Sequence, residues 1–392
     1  MSNGKKGGVT SLIYDPRLRS IFFQLVAIAC VAGFFWHILD NANTNMAARG
    51  ITTGFGFLDN QAGFGIIQSL IDYTETDTYA RTFTVGLLNT LLVSMLGIFF
   101  ATIVGFLMGI ARLSSNWLIR KLALCYIEVF RNIPLLLQIF FWYFAVLRAL
   151  PSPRMSMEMG DAFFLNIRGL YMPEPIPGAG FDYVWIALIA GVVGSYALYR
   201  YAKKIQAETG RIIPMFLPTL GMIIGLPLIV FFIAGSPLSW EYPVLKGFNF
   251  TDGITIIPEF LALLFALTIY TSAFIAEVVR SGIEAVSHGQ TEAASALGLT
   301  NGQRLRLIVI PQSMRIIIPP LTNQYLNLTK NSSLATAIGY PDLVSVFAGT
   351  TLNQTGQAVE IIFMTMGVYL TISLVTSAAM NYYNSRKALI ER

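Results

Sequence analysis

The segment Gly289-Gln-Thr-Glu-Ala-Ala-Ser-Ala-Leu-Gly298-Leu-Thr-Asn-Gly-Gln-Arg-Leu-Arg-Leu-Ile-Val-Ile-Pro311 decides how this chain is interpreted. Its first part joins Glu292 to a group of alanines, which are strong helix formers, and Gly298 supplies the left-handed backbone position that ends a short helix. Thr300 or Asn301 can cap a second helix, which Pro311 interrupts. The pattern predicts a short helix with small side chains that fits a groove on a partner. An interfacial loop with a chance run of alanines is the alternative.

The composition around this segment is that of a membrane protein. Of the 392 residues, 55% are hydrophobic and only 12% are charged, and the mean hydropathy is +0.62. A soluble domain carries about 25% charged residues. The polar side chains are therefore too few to cover a water-soluble particle of this size.

Eight apolar runs approach the roughly 20 residues that cross about 30 Å of hydrocarbon. They are Ile21–Leu39, Thr84–Ile110, Ile133–Leu147, Tyr183–Tyr199, Ile212–Ala234, Ile256–Val279, Met314–Leu328 and Ile361–Tyr382. The third and seventh are short or interrupted by proline. The first is too long for the apolar core of a signal peptide and is expected to be retained. We predict an all-α polytopic membrane protein with about eight transmembrane helices and both termini on one side.

The distribution of basic residues predicts the orientation of these spans. With a cytoplasmic N-terminus, most of the 26 Lys and Arg residues fall in inner segments, as the positive-inside rule requires. The outer segments are then the long polar stretches Asp40–Arg81, Leu150–Asp182 and Gly235–Thr255. Both termini are predicted to be cytoplasmic, and the cytoplasmic loop 280–313 carries the opening segment.

Several motifs together resemble one family of transport proteins. The pattern Glu292-Ala293-Ala294, Gly298 and Ile308-x-Ile310-Pro311 is similar to the cytoplasmic signature of binding-protein-dependent ABC importer permeases. Arg131-Asn-Ile-Pro-Leu-Leu-Leu-Gln, Ala276-Glu-Val-Val-Arg-Ser-Gly-Ile and Lys330-Asn-Ser-Ser-Leu-Ala resemble segments of its polar amino acid branch. The likeness is greatest to the large permease subunit of general L-amino-acid transporters, of the glutamate/glutamine/aspartate/asparagine type.

This resemblance implies an organisation around a five-helix permease core. The expected divisions are an N-terminal segment with an extra span and outer loop (1–81), the first part of the core (82–149), an outer loop with an inserted two-span hairpin (150–255), and the second part of the core (256–392). The additions are expected to pack on the outside of the core.

The resemblance also implies the partners and the mechanism. The chain is expected to carry L-amino acids across the bacterial inner membrane by alternating access, in contact with membrane lipid. Its partners would be a cytoplasmic ATPase dimer, a second homologous permease subunit and a periplasmic amino-acid-binding protein. ATP hydrolysis would occur on the ATPase, since this chain has no P-loop motif; no cofactor and no nucleic acid are expected. The coupling contacts would be Glu292, Ala293, Ala294 and Gly298, whereas His288 replaces a basic residue common in the family.

A polar cluster behind two prolines is the candidate solute pathway. Pro319-Pro320 is expected to interrupt a helix at membrane depth, where only protein or a water-filled cavity can cover the freed backbone groups. Asn331 or Ser332 would then cap a half-helix whose N-terminal dipole suits a carboxylate, helped by Lys330. Glu277 could hold an ammonium group or pair with Arg280 instead. The candidate residues are Thr271, Ser272, Glu277, Asn323, Asn327, Lys330, Asn331 and Ser332.

Two further patterns bear on the architecture and on the class of transporter. Gly97, Ala101, Gly105 and Gly109 recur every four residues, which predicts close helix packing within the chain or against a second permease subunit. An ion-coupled secondary transporter is the alternative function. That class needs carboxylates in mid-span, and Glu277 alone approaches such a position.

Overall fold

The computed structural model describes residues 16–48, 53–211 and 213–387 of the chain. The residues before Pro16, the first residue of the predicted span Ile212–Ala234 and residues 388–392 lie outside the described part. Thirteen α-helices can be delimited within it. They are α1 (Pro16–Ala48), α2 (Tyr79–Arg112), α3 (Trp117–Asn132), α4 (Leu135–Phe140), α5 (Phe181–Thr209), α6 (Phe216–Leu220), α7 (Leu226–Ile233), α8 (Pro258–Glu284), α9 (His288–Ala296), α10 (Asn301–Arg304), α11 (Ile310–Asn331), α12 (Leu352–Thr355) and α13 (Ala358–Lys387).

Wider and tighter helical turns extend several of these helices. The π-helical turn Phe141–Val146 and the 3₁₀ turn Leu147–Ala149 continue α4. The π-helical turn Gly221–Gly225 joins α6 to α7. Further π-helical turns lie at Leu305–Val309, before α11, and at Val344–Thr351, before α12. The prediction of an essentially helical chain is confirmed.

The predicted count of eight spans is not confirmed. Within the described residues, six helical segments are long and apolar enough to cross a membrane: Leu18–Ala48, Tyr79–Arg112, Phe181–Thr209, Phe216–Ile233, Pro258–Glu284 and Ala358–Ser385. A seventh is the pair Trp117–Asn132 and Leu135–Ala149, which is bent by 105°. The predicted run Met314–Leu328 lies on α11, whose asparagines, glutamines, threonines and lysine lower its mean hydropathy.

Short strands, which the sequence analysis did not predict, occupy two of the predicted outer loops. A four-stranded antiparallel sheet has the order β1 (Met157–Met159), β2 (Phe163–Asn166), β3 (Gly169–Met172) and β8 (Ile254–Ile256). Two further pairs join β4 (Glu174–Pro177) to β5 (Leu238–Glu241), and β6 (Val244–Lys246) to β7 (Asn249–Thr251). Strands of three or four residues are too short to show an alternating pattern, so their pairing is set by contacts between distant segments.

The chain forms two compact units. The first comprises Met1–Ser94 and Ile318–Arg392, and the second comprises Met95–Ile317. The first unit has an apolar core in which Phe57 and Phe347 pack with their ring centroids 6.2 Å apart. Leu343, Phe347 and Ile361 are fully buried there.

In the second unit, α2 and α8 pack closely against each other. A Cβ atom at Gly105 would lie 2.5 Å from Cγ2 of Ile275, and one at Gly109 would lie 2.8 Å from the carbonyl oxygen of Ala276. Gly97 and Ala101 are buried on the same face of α2. The four-residue stripe therefore packs one helix of this chain against another, which is the first of the two expected roles.

Candidate functional site

The predicted coupling segment begins with the short helix α9. This helix ends at Ala296, Leu297 is its C-cap, and Gly298 follows with φ +75. The amide of Gly298 donates to the carbonyl of Ser295 at 3.0 Å, and the amide of Leu299 donates to that of Ala294 at 3.2 Å. This pair of bonds is a Schellman motif, which satisfies carbonyls at the end of the helix. Gly298 thus has the backbone role that its position predicted.

The four predicted coupling residues differ in exposure. Glu292, Ala293 and Gly298 are exposed, whereas Ala294 is only 1% exposed. Leu297, which sequence analysis did not single out, is 80% exposed. The helix thus presents a surface of small groups with one large apolar side chain at its end, and the side chain of Ala294 packs inward.

A network of polar contacts joins α9 to the helices that follow. Gln312 Nε2 of α11 donates to Gln290 Oε1 of α9 at 3.3 Å. Arg304 of α10 donates to the hydroxyl of Ser295 at 3.3 Å. Thr300 caps α10 in a capping box with Gln303. Of the two residues predicted to cap this helix, Thr300 and Asn301, it is therefore Thr300 that does so. Polar contacts therefore connect α9 with α10 and with the start of α11.

His288 and Glu292 form one exposed pair on α9. Nδ1 of His288 lies 3.0 Å from Oε1 of Glu292, and 87% and 72% of the two side chains are exposed. The histidine that replaces a basic residue therefore adjoins the predicted coupling glutamate. An exposed pair of this kind contributes little to stability.

The candidate residues on α8 are engaged within their own unit. Glu277 forms an ion pair with Arg280, whose Nε donates to its Oε2 at 2.9 Å, and Arg280 also pairs with Glu284. Of the two readings for Glu277, the ion pair is the one observed. Ser272 is fully buried, with its hydroxyl 2.6 Å from the Tyr126 hydroxyl, and Thr271 is also buried.

The candidate residues on α11 form an exposed polar stripe. Asn323, Asn327 and Lys330 recur every three or four residues, which places them on one helix face, and all three are exposed. None of these three side chains has a hydrogen-bond or ionic partner among the described residues. In hydrocarbon such a face would be costly, so it must adjoin water or another polypeptide.

The separate half-helix expected after the prolines is not observed, because a 3₁₀ helix, Ser332–Ile338, follows α11 without a break. The helix α11 continues through Pro319 and Pro320 to Asn331, which has a helical backbone and makes no capping hydrogen bond through its side chain. The buried Ser332 donates to the carbonyl of Thr329 at 2.8 Å. A proline removes one backbone donor, but here the lost bonds do not end the helix, so no free N-terminus forms at this point.

A cavity of about 500 Å³ opens beside the end of the polar stripe. Lys330 and Ser333 line it together with Thr365, Tyr369, Leu370 and Ser373 of α13. Its volume lies in the range of small-molecule sites. Lys330 supplies a positive charge at its wall, as a carboxylate would require.

Behind Tyr369 lies a buried polar turn that sequence analysis missed. Asp342 is fully buried, accepts the amide of Ser345 at 2.8 Å and lies 3.4 Å from the Tyr369 hydroxyl. Burial raises the pKa of Asp342 to about 7, although the amide hydrogen bonds oppose that shift. The Pro341-Asp342 dipeptide is a turn signal in the sequence, but nothing in it indicates burial.

Comparison with known proteins identifies a matching family and several similar proteins. Residues 184–389 match the family described as binding-protein-dependent transport system inner membrane component. The chain is 56% identical to the putative amino-acid ABC transporter permease protein YhdX of Escherichia coli (strain K12), over 96% of each chain. It is 53% identical to the general L-amino acid transport system permease protein AapQ of Rhizobium johnstonii, over 97% of this chain and 95% of the relative. The glutamate/glutamine/aspartate/asparagine transport system permease protein BztB of Rhodobacter capsulatus is 42% identical, over 98% and 97%.

Proposed function

Because this chain belongs to the family of binding-protein-dependent transport system inner membrane components, we propose that it is one permease subunit of an ATP-driven L-amino-acid importer. It is a multi-pass inner-membrane protein. A periplasmic binding protein delivers the amino acid, and a cytoplasmic ATPase dimer supplies the energy. A second homologous permease subunit completes the pathway, and both termini of this chain are cytoplasmic. The substrate class follows from the names of the relatives, which are permeases for amino acids.

The observation that carries this proposal is the exposed helix α9. Glu292, Ala293 and Leu297 project from a helix that the Schellman motif at Gly298 ends. The Gln290–Gln312 hydrogen bond connects it to α11. A partner that moves α9 would thereby move the helix that carries the polar stripe, which is the coupling that alternating access requires. Ala294 contributes to the fold of this segment, and its neighbours supply the contact surface.

The polar stripe of α11 is the proposed solute pathway in this subunit. Asn323, Asn327 and Lys330 would face the space shared with the second permease subunit. Lys330 would attract the carboxylate of the solute, and the asparagines would hydrogen-bond it during passage. Thr271 and Ser272 are assigned to helix packing, since both are buried and Ser272 contacts Tyr126.

An ion-coupled secondary transporter is the less favoured alternative. Such a protein binds its coupling ion with carboxylates in mid-span. Glu277, the residue closest to that role, forms an ion pair with Arg280 near the end of α8. Because the arginine already neutralises the charge of this carboxylate, the carboxylate would bind a coupling proton or sodium ion weakly.

The test is ATP hydrolysis by the complete complex in proteoliposomes, with and without the loaded binding protein. We compare the wild type with Gly298→Asp and Gly302→Asp. An Asp at position 298 must adopt φ +75, which strains an L-residue, so the stimulation of hydrolysis by binding protein should fall at least about tenfold, the equivalent of about 1.4 kcal/mol. Gly302 lies outside the left-handed region with open space around it, so the same charge there should preserve the stimulation.

Two outcomes would contradict the proposal. Equal stimulation in Gly298→Asp and the wild type would show that the end of α9 does not transmit the signal. A chain that purifies without an ATPase and moves amino acids down an ion gradient would support the secondary transporter.

A further inference from the structure

We propose that the inserted hairpin formed by α5, α6 and α7 binds an anionic phospholipid at the end where its two helical arms are connected. The inference rests on two features at that end, an exposed cluster of basic side chains and an apolar groove. Neither feature belongs to the coupling segment or to the polar stripe. The proposal assigns to the inserted hairpin a partner that the amino acid transport function does not require.

The hairpin is an antiparallel pair that packs mainly on itself. A Cβ atom at Gly191 of α5 would lie 2.1 Å from the carbonyl oxygen of Met222, and one at Gly194 would lie 3.1 Å from Cε of Met222. Gly180 and Ala234 meet at the opposite end, where β4 pairs with β5. Both arms are long and apolar enough to cross a membrane, and they are only 17% and 6% buried over their most apolar stretches.

The basic cluster consists of Arg200, Lys203, Lys204 and Arg211, all of them exposed. Glu208 is the one acidic residue in this stretch of the sequence, and it pairs with Lys204 at 3.8 Å. The charge at this end therefore remains strongly positive. Basic clusters that directly adjoin a membrane-crossing helix attract anionic headgroups, at about 1 kcal/mol for each residue near the surface.

Tyrosines place this cluster at the membrane surface. Tyr196, Tyr199 and Tyr201 lie on α5 on both sides of Arg200, and all three are exposed. Arg200 donates to the hydroxyl of Tyr196 at 3.4 Å. Exposed tyrosines beside an apolar helix are typical of the layer of lipid headgroups.

The groove lies at the same end of the hairpin. It has a volume of about 300 Å³ and is lined by Met215, Phe216, Thr219, Leu220, Ile223 and Ile224. From the contact between Gly194 and Met222, α5 rises about 14 Å to reach Lys203, at about 1.5 Å per residue. On the other arm, the groove extends from Ile224, next to this contact, to Met215, seven residues back from Met222 and about 10 Å away. Its far end therefore reaches the level of Arg200, about 9 Å from Gly194, where the basic cluster begins.

A phospholipid satisfies both features with one molecule. Its phosphate would contact the basic side chains, and part of one acyl chain would occupy the groove. An acidic protein partner would match the charge, but it would not need an apolar groove on a face that crosses the membrane. Under the proposed orientation, the lipid belongs to the cytoplasmic leaflet.

The test is native mass spectrometry of the intact complex in detergent, titrated with phosphatidylglycerol or with phosphatidylcholine of the same acyl chains. The wild type should retain phosphatidylglycerol preferentially. The pair Lys203→Gln and Lys204→Gln should lower its affinity by about fivefold or more, and adding Arg200→Gln and Arg211→Gln should lower it further. Thr219→Trp, which fills the groove, should weaken retention without changing the charge.

The matched control is Arg120→Gln with Lys121→Gln, an exposed basic pair on α3 outside the hairpin. It should retain the lipid as the wild type does. Equal retention of the two lipids, an equal loss in the control, or full retention by the Lys203/Lys204 variant would overturn the proposal. Loss of a co-purifying acidic protein from that variant, with lipid binding unchanged, would assign the cluster to a protein partner instead. Because the Thr219 and Lys203/Lys204 variants are tested separately, a failure of the quadruple variant to fold leaves the proposal testable.

Discussion

Two groups of polar side chains in the first unit have opposite surroundings. At the turn between α11 and α12, Asp342 is fully buried and hydrogen-bonded, and so are Asn89 and Thr90, two residues of α2 that contact this turn. Along α11, Asn323, Asn327 and Lys330 are exposed, and no side-chain partner is found for them within the described residues. The first group forms hydrogen bonds between segments of this chain, whereas the side chains of the second group remain available to bond water, a solute or another chain.

The difference separates stability from transport. A buried polar group without a partner costs about 1–3 kcal/mol, so the paired residues of the turn stabilise the fold. Side chains exposed on a helix in the membrane gain their partners from water, a solute or another chain. Substitutions in the turn should therefore change stability first, and substitutions in the stripe should change transport first.

The largest expected effect is that of Asn89→Ala. The amide of Asn89 donates to the carbonyls of Gln68 at 2.8 Å and Pro341 at 2.9 Å. Its removal leaves two carbonyls without this donor and should cost about 2–5 kcal/mol, which thermal unfolding in detergent would measure as a lower midpoint. The control is Asn353→Ala, an exposed asparagine of the same unit. Equal unfolding midpoints for the two variants would show that the hydrogen bonds of Asn89 do not stabilise the fold.

A smaller effect is expected in the pH dependence of stability. Since the pKa of Asp342 is raised to about 7 from its model-compound value of 3.8, the folded chain binds this proton more tightly than the unfolded chain does. Its contribution is fully present below pH 4 and is lost as the pH rises to about 7. Asp342→Asn should therefore flatten the fall of the unfolding midpoint between pH 5 and 8. Asp72→Asn, at an exposed position, should leave that fall unchanged, and an unchanged slope in Asp342→Asn would refute the assignment.

The smallest expected effect in free energy falls on the stripe, where it should appear in transport alone. Lys330→Met removes the positive charge at the cavity wall and should weaken the apparent affinity for amino acids in proteoliposomes by about fivefold, the equivalent of about 1 kcal/mol. The unfolding midpoint should stay that of the wild type. A matched Lys121→Met variant on α3 should keep both values. Unchanged affinity in Lys330→Met would exclude a role in holding the carboxylate.

The sequence predicted the features that depend on neighbouring residues. The end of α9 at Gly298 follows from local rules of backbone geometry, as do a cap at Thr300 or Asn301 and a packing face from Gly97 to Gly109, whose partner the spacing left open. The ion pair of Glu277 with Arg280 was one of two predicted roles, the other being to bind an ammonium group. The three-residue spacing on a helix favours the ion pair. Only the choice between the alternatives, such as the helix on which the glycine stripe packs, depends on distant contacts.

The features that the sequence did not predict depend on distant contacts. The strands β3 and β8 are far apart in the chain, and Gly169 allows the carbonyl of Ile256 to approach within 2.2 Å of where a Cβ would lie. The burial of Asp342 depends on Tyr369, which belongs to another helix. Pro319 and Pro320 were expected to break α11, because proline disfavours the interior of a helix. That rule considers the proline alone, and the helix continues through both residues.

The 105° bend between α3 and α4 limits how far the apolar arm after it can reach across a membrane. The apolar arm after the bend, Leu135–Ala149, reaches only about 22 Å at 1.5 Å per residue, whereas the hydrocarbon layer measures about 30 Å. A helix shorter than the bilayer draws the two lipid surfaces together or admits water at its end. An arm of this length therefore spans the hydrocarbon only where the bilayer thins beside it or where neighbouring protein covers its ends.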